Sequence, residues 1–230
     1  MPAPSRPQSH LQYPLTSILG SAGNVRVLRA IVADPSPQSA PQLAEVAGLT
    51  PQGVRLILDA LARQRLLLAH GAGRARLYEL SRSHPFASAI VTLFEGERRR
   101  WDALLDSIRQ VLTTHREVVS AAWLYGSVAR GEDSPGSDLD IAVLVRSQAV
   151  ADRLREDLMP IEDEQEFRIS LTALTPKELV ALPEDDPWWS DVVRDGRVLK
   201  GPTPDQVRRR LVRAIAGAGS SPLERVSRNI

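Results

Sequence analysis

The sequence contains no cysteine, which excludes disulfides and thiolate metal sites. Histidine is almost as scarce. His10, His70, His84 and His115 lie far apart, with no pair at helical spacing, and this argues against a histidine-based zinc site. Aromatic residues make up only 4% of the 230 positions, so any core must be built from Leu, Val, Ile and Ala. No apolar run is long enough to span a bilayer, so no membrane partner is expected. The first residues are polar and Pro-rich and lack the charged-then-apolar pattern of a secretory signal. A cytoplasmic protein is the expectation. Lysine is reduced to Lys177 and Lys200, so arginine carries nearly all of the positive charge.

That charge is unevenly spread. Residues 1–83 hold nine Arg against four acids, a net of +5, whereas residues 151–190 hold eleven acids against four basic residues, a net of −7. Residues 201–230 return to +4, with six Arg against two acids. A basic N-terminal part joined to an acidic one fits a nucleic-acid-facing unit attached to something else.

Residues 1–14 read as a Pro/Ser-rich disordered tail. From Gly23 to Ala33, Val25, Leu28, Ile31 and Val32 recur at helical spacing, and Asp34-Pro-Ser-Pro ends the run. A second helix is expected over 40–47 with Leu43, Val46 and Ala47 inward. After the turn at Gly48, Thr50 is placed as an N-cap with Pro51 at the first helical position. The third helix then runs to about Gln64, with Val54, Ile57, Leu58 and Leu61 inward. Two strands around the Gly-rich tip 70–73 complete residues 15–82. Three helices and a hairpin resemble the winged helix-turn-helix of MarR/ArsR-type transcriptional regulators. The resemblance implies binding of double-stranded DNA, with Gln52, Arg55 and Gln64 facing a major groove and Arg74 and Arg76 meeting phosphates from the wing. It also implies a homodimer.

Residues 83–114 read as a linker helix with Phe86, Ile90, Phe94, Trp101, Leu105, Ile108 and Leu112 on one face and a potential interruption at Gly96. Beyond it, strands are expected at 118–124, 137–145 and 166–174, with helices at 148–158, from Thr175, and at 205–216. Trp101 and Trp123 read as core residues, and Trp188-Trp189 as a packing element or lid. Residues 218–230 read as a flexible tail. The whole is an α+β protein: a winged helix-turn-helix, a linker helix, and at 115–217 an α/β domain with a small mixed sheet.

The chemistry is concentrated at Gly126-Ser127 and Asp138-Leu139-Asp140, with ten residues between Ser127 and Asp138. The two-residue period of a strand puts both carboxylates on one face and sends Leu139, Ile141 and Val143 into the core. Two adjacent carboxylates repel unless a cation sits between them, which suits Mg²⁺ or Mn²⁺. Gly126 lets the backbone approach a phosphate, and the Ser127 hydroxyl can donate to its oxygens. Arg130 adds charge, and Ser137 lies beside the carboxylates. No Ser-His-Asp arrangement and no Walker-type loop is present.

This pattern resembles the polymerase-β nucleotidyltransferase superfamily, closest to its minimal members, including the antitoxin-type enzymes of bacterial toxin–antitoxin pairs. The segment Asp195-Gly-Arg-Val-Leu-Lys-Gly201 is similar to the end of such domains. The resemblance implies transfer of a nucleoside monophosphate from a metal-bound nucleoside triphosphate to a hydroxyl of a protein, an RNA or a small molecule. Asp138 and Asp140 would be the catalytic and metal-holding acids, and Gly126, Ser127, Arg130 and Ser137 would hold the nucleotide. One departure stands out. Where the family supplies a third carboxylate from the next strand, this chain has Ser170, a poor general base. Glu166, four residues earlier on that expected strand, would lie roughly 13 Å away. The alternative reading is a nucleotide-responsive transcriptional regulator with little or no turnover.

Overall fold

The structure is a computed structural model that describes residues 9, 12, 21–73 and 76–218, with the side chains of 215–218 excepted. Most of the expected tails at 1–14 and 218–230, and Arg74, therefore lie outside the described residues. The chain divides into two compact units. One comprises Met1–Ala103 with Gly131–Pro135, the other Leu104–Arg130 with Gly136–Ile230.

The first unit opens with α1 (Ala22–Ala33), followed by β1 (Gln38–Ser39), α2 (Ala40–Ala47) and α3 (Pro51–Arg63). Ser39 and Gln42 form a capping box at the start of α2, and the Gln42 side chain accepts from the Ser39 N–H at 2.9 Å. Gly48 ends α2 in the left-handed region at φ 64°, and Leu49 N–H then donates to Ala44 C=O at 2.9 Å. Thr50 caps α3 by accepting from Gly53 N–H at 3.1 Å. These caps fix the sharp turn between α2 and α3.

Strands β2 (Leu67–His70) and β3 (Leu77–Leu80) form a hairpin, and β1 joins β3 on its other edge. The result is a winged helix-turn-helix. Its core joins Val27, Ile31, Leu43, Ala44, Val54, Leu58, Leu61, Leu66 and Tyr78. Val46, expected inward, is 63% exposed. From Leu43 the helical stripe passes through Ala44 and Ala47, and Val46 falls off its edge.

Helix α4 (Ala87–Thr114) continues through Gly96, where a side chain would meet only open space. Its buried face is Phe94, Glu97, Trp101, Leu104, Ile108 and Leu112, a strict three-four spacing that takes Leu104 rather than Leu105. Phe86 precedes the helix and is exposed. The buried Glu97 is neutralised by Arg29 of α1 through two hydrogen bonds, at 2.7 and 3.1 Å.

The second unit holds β4 (Val119–Tyr125), α5 (Gly126–Arg130), β5 (Leu139–Val145), α6 (Gln148–Gln165), β6 (Ile169–Leu174), α7 (Pro176–Ala181), α8 (Pro187–Asp195), β7 (Arg197–Lys200) and α9 (Pro204–Ala218). The sheet order is β6-β5-β4-β7. β5 and β6 run parallel, which requires the crossover through α6, and the other pairs are antiparallel. Leu139, Ile141 and Val143 are buried on one face. On the other, Trp123, Tyr125, Ala142 and Leu144 pack with Leu179, Trp189, Val192 and Val207 of α7, α8 and α9.

Helix α6 passes Pro160 and runs to Gln165, and Glu166 is its C-cap at φ 55° rather than a strand residue. β5 begins at Leu139, so Asp138 lies just before the strand.

Candidate functional site

At the end of β4 the chain must turn at once into α5. Gly126 makes that turn at φ +78°, a region that other L-residues rarely adopt. A Cβ on Gly126 would fall 2.2 Å from Asp140 Oδ2 and 3.0 Å from Asp140 Cγ. The space a side chain would take is filled by the Asp140 carboxylate. Tyr125 and Asp140 are partners across β4 and β5, and Asp140 and Ser170 are partners across β5 and β6. These three side chains therefore share one face of the sheet in a single row.

Asp140 is half-buried, and burial pushes its carboxyl above the usual range. A hydrogen bond with Ser170 pulls it back, the neighbouring Asp138 charge pushes it up again, and Arg130 offsets part of that. The two acids thus interact although Asp138 lies outside the strand. Among the described residues no group of three or more Asp, Glu or His side chains gathers as a metal cage. The donor set is a carboxylate pair with a serine beside it. Such a pair, one member held above its normal range by burial and by the other's charge, suits a divalent cation with oxygen ligands, and Asp138 and Asp140 are the residues that would hold it. Ser137 is half-buried immediately before Asp138, and Ser127 stands at the second position of α5.

Arg130 is placed by a residue that the sequence pattern does not reveal. Asp195, at the end of α8, accepts from Arg130 Nη1 at 2.9 Å and from Arg194 at 2.7 and 2.8 Å. Its carboxylate is only 7% exposed, and the Arg194 and Arg130 guanidiniums hold it below the usual carboxylate range. Arg197 donates to the carbonyl of Ala129, so a second arginine anchors the end of α5. Helix α8 itself had a readable signal. Asp186 caps it by accepting from Trp189 N–H at 2.8 Å, with Pro187 at its first position. Trp189 is buried edge-on to Trp123 at 5.7 Å. Trp188 donates to Tyr125 Oη at 3.0 Å, and Tyr125 Oη lies 3.3 Å from Thr172 Oγ1, which joins α8 to the row that carries Asp140 and Ser170.

In the first unit, Gln52 and Arg55 are exposed on α3. Gln64 is the C-cap of α3, roughly a third of a turn away from the stripe that Gln52 and Arg55 define. Arg76, at the base of the wing, lies 3.5 Å from Asp59 of α3 and 5.9 Å over the Tyr78 ring. The wing is thus tied to α3 through Asp59, which also accepts weakly from Tyr78 Oη at 3.4 Å.

No curated protein matches the chain. Among solved structures, it is similar to a toxin–antitoxin crystal structure with AMP-PNP, at 17% identity and TM-score 0.36, covering 53% of this chain and 94% of that one. It is also similar to a complex of a tri-AMPylated Shewanella oneidensis HEPN toxin with an MNT antitoxin, at 16% identity and TM-score 0.33, covering 54% and 94%. A MarR family transcription regulator aligns at 25% identity and TM-score 0.29 over 40% of this chain and 68% of that one. Residues 106–199 match the family described as Polymerase beta, Nucleotidyltransferase. That span takes in the Gly126 turn, both carboxylates and the Ser170 strand, and residues 106–199 are accordingly a polymerase beta nucleotidyltransferase domain.

Proposed function

We propose that the protein is a DNA-binding nucleotidyltransferase, in which the second unit transfers a nucleoside monophosphate from a nucleoside triphosphate to a hydroxyl acceptor. The observation that carries this reading is the packing of the Asp140 carboxylate against the Cα of Gly126, which joins a phosphate-gripping turn to an acidic pair. A bound magnesium or manganese ion supplies charge neutralisation for the phosphates and the leaving pyrophosphate. Asp138 and Asp140 are the residues that would hold that ion. Gly126 and the Ser127 hydroxyl at the start of α5 receive the phosphates, where a side chain would block approach. Arg130, oriented by Asp195, places positive charge beside them, and Ser137 adds a hydroxyl next to Asp138. Ser170 orients Asp140 and leaves the acceptor hydroxyl without a third carboxylate as base. The acceptor is a protein side chain, an RNA end or a small molecule. In the first unit, Gln52 and Arg55 on α3 and Arg76 at the wing face double-stranded DNA.

The test is label transfer from an α-labelled nucleoside triphosphate to an acceptor pool. Transfer is expected from the full-length protein and should vanish in Asp138→Ala. Undiminished transfer in that variant would remove this site from consideration.

Ser170 favours a second reading, a regulator that binds nucleotide without turnover. It requires tight nucleotide binding with no product, and DNA binding that changes when nucleotide is added. A protein that holds no duplex at moderate salt fails that reading.

A further inference from the structure

Helix α3 has two faces of different chemistry. Val54, Leu58 and Leu61 are buried in the core. At roughly 100° per residue, the opposite stripe is Gln52, Arg55, Leu56, Asp59 and Arg63. Leu56 is 68% exposed at the middle of that stripe. An exposed leucine is ordinary by itself. This one lies next to Arg55 and two helical turns from Arg63, and Arg63 lines a concavity beside α3 together with Asp59, Arg65 and Arg76. Asp59, the acid of the stripe, is drawn toward Arg76.

A second copy of the chain would bring a like-charged face against this one. The complementary surface is polyanionic at its edges and carries isolated apolar points within. The major groove of DNA has this character, because phosphates line its rims and thymine 5-methyl groups project into it.

We propose that Leu56 is a specificity-determining residue that contacts a thymine 5-methyl group in the major groove, on the exposed stripe of α3 that also carries Arg55 and Arg63. This rests on the DNA-binding reading of the first unit. It assigns to an aliphatic side chain a role that the polar residues Gln52 and Arg55 do not fill.

The test uses the full-length protein and duplexes that it enriches from a random-sequence pool. Each thymine of an enriched duplex is replaced singly by uracil, which removes only the methyl group, and affinity is measured for the wild type and for Leu56→Ala. In the wild type one or two replacements should weaken binding roughly threefold to fivefold, the worth of one buried methyl. Leu56→Ala should bind the thymine and uracil duplexes equally, with an unchanged salt slope because no phosphate contact is lost. Circular dichroism confirms that the exposed substitution leaves the fold intact. Methyl sensitivity absent from the wild type, or persisting in Leu56→Ala, overturns the role of Leu56 and leaves DNA binding standing. Failure to enrich any duplex overturns both.

Discussion

The Asp140 carboxylate occupies the place where a side chain on Gly126 would be, with Oδ2 2.2 Å from the ideal Cβ position. Both the φ of +78° at position 126 and the Asp140 carboxylate exclude a side chain there. The turn that opens α5 and the acid on β5 are therefore a single unit, although fourteen positions separate them in the chain.

Gly126→Ala tests that dependence. It forces a Cβ into φ +78° and against Asp140. Destabilisation of about 1–3 kcal/mol is expected from the strained backbone, and more if Asp140 cannot rotate away. Nucleotide binding should fall further than stability does. Denaturant melts and nucleotide titrations on the same sample separate the two, and a variant that keeps both properties contradicts the close packing.

Asp140→Asn should raise thermal stability at neutral pH while abolishing transfer. Burial and Asp138 raise the Asp140 pKa in the folded state. The folded state then binds the proton more tightly than the unfolded chain does. The resulting stabilisation is complete below the unfolded pKa and is lost as pH rises through the folded one. At neutral pH the charged Asp140 is thus a liability that asparagine removes, and the advantage should disappear in acid. Magnesium should raise the melting temperature of the wild type but not of the variant. Melting curves across pH, with and without magnesium, measure both effects.

Ser170→Asp places a third carboxylate opposite Asp140 in the row shared by β5 and β6. If the missing base limits turnover, label transfer should rise on the order of a hundredfold, within the usual range for general-base catalysis. The metal-free protein should become less stable because three carboxylates then repel. A steady-state assay at saturating magnesium decides the point, and unchanged turnover would show that Ser170 is not the limiting feature.

Asp195→Asn should act through Arg130. The buried carboxylate of Asp195 fixes Arg130 and Arg194 together. Its loss frees Arg130 to swing, which should raise KM for the nucleoside triphosphate roughly tenfold, with kcat changed much less. A folding defect alone would reduce the active fraction, and so kcat, without moving KM, and an unshifted KM would deny Asp195 a positioning role.

Much of the fold was legible because local rules dominate there. The capped helices α2 and α3, the hairpin after them and the strand carrying Leu139, Ile141 and Val143 all follow from side-chain period, caps and turn glycines. The expected helix over 148–158 instead continues through the exposed Pro160 to Gln165, which takes Glu166 out of the strand. The role of Asp195 was not legible because it is not local. Asp195 matters only through Arg130, sixty-five positions away.

By itself the sequence determined the fold class, a winged helix-turn-helix followed by an α/β domain with a mixed sheet. Side-chain period alone puts the two carboxylates on one face, the family resemblance marks the glycine-serine turn as a phosphate site, and helical period gives α3 an inward and an outward face. Tertiary structure decided how these groups act on one another. The sheet register set Tyr125, Asp140 and Ser170 in one row, and burial in that row raised the pKa of Asp140. The packing of α8 brought Asp195 to Arg130, and the fold of α3 onto its core left Leu56 outside. The division follows from physics: backbone preferences act over a few residues, whereas charge, burial and contact depend on which distant residues the fold makes neighbours.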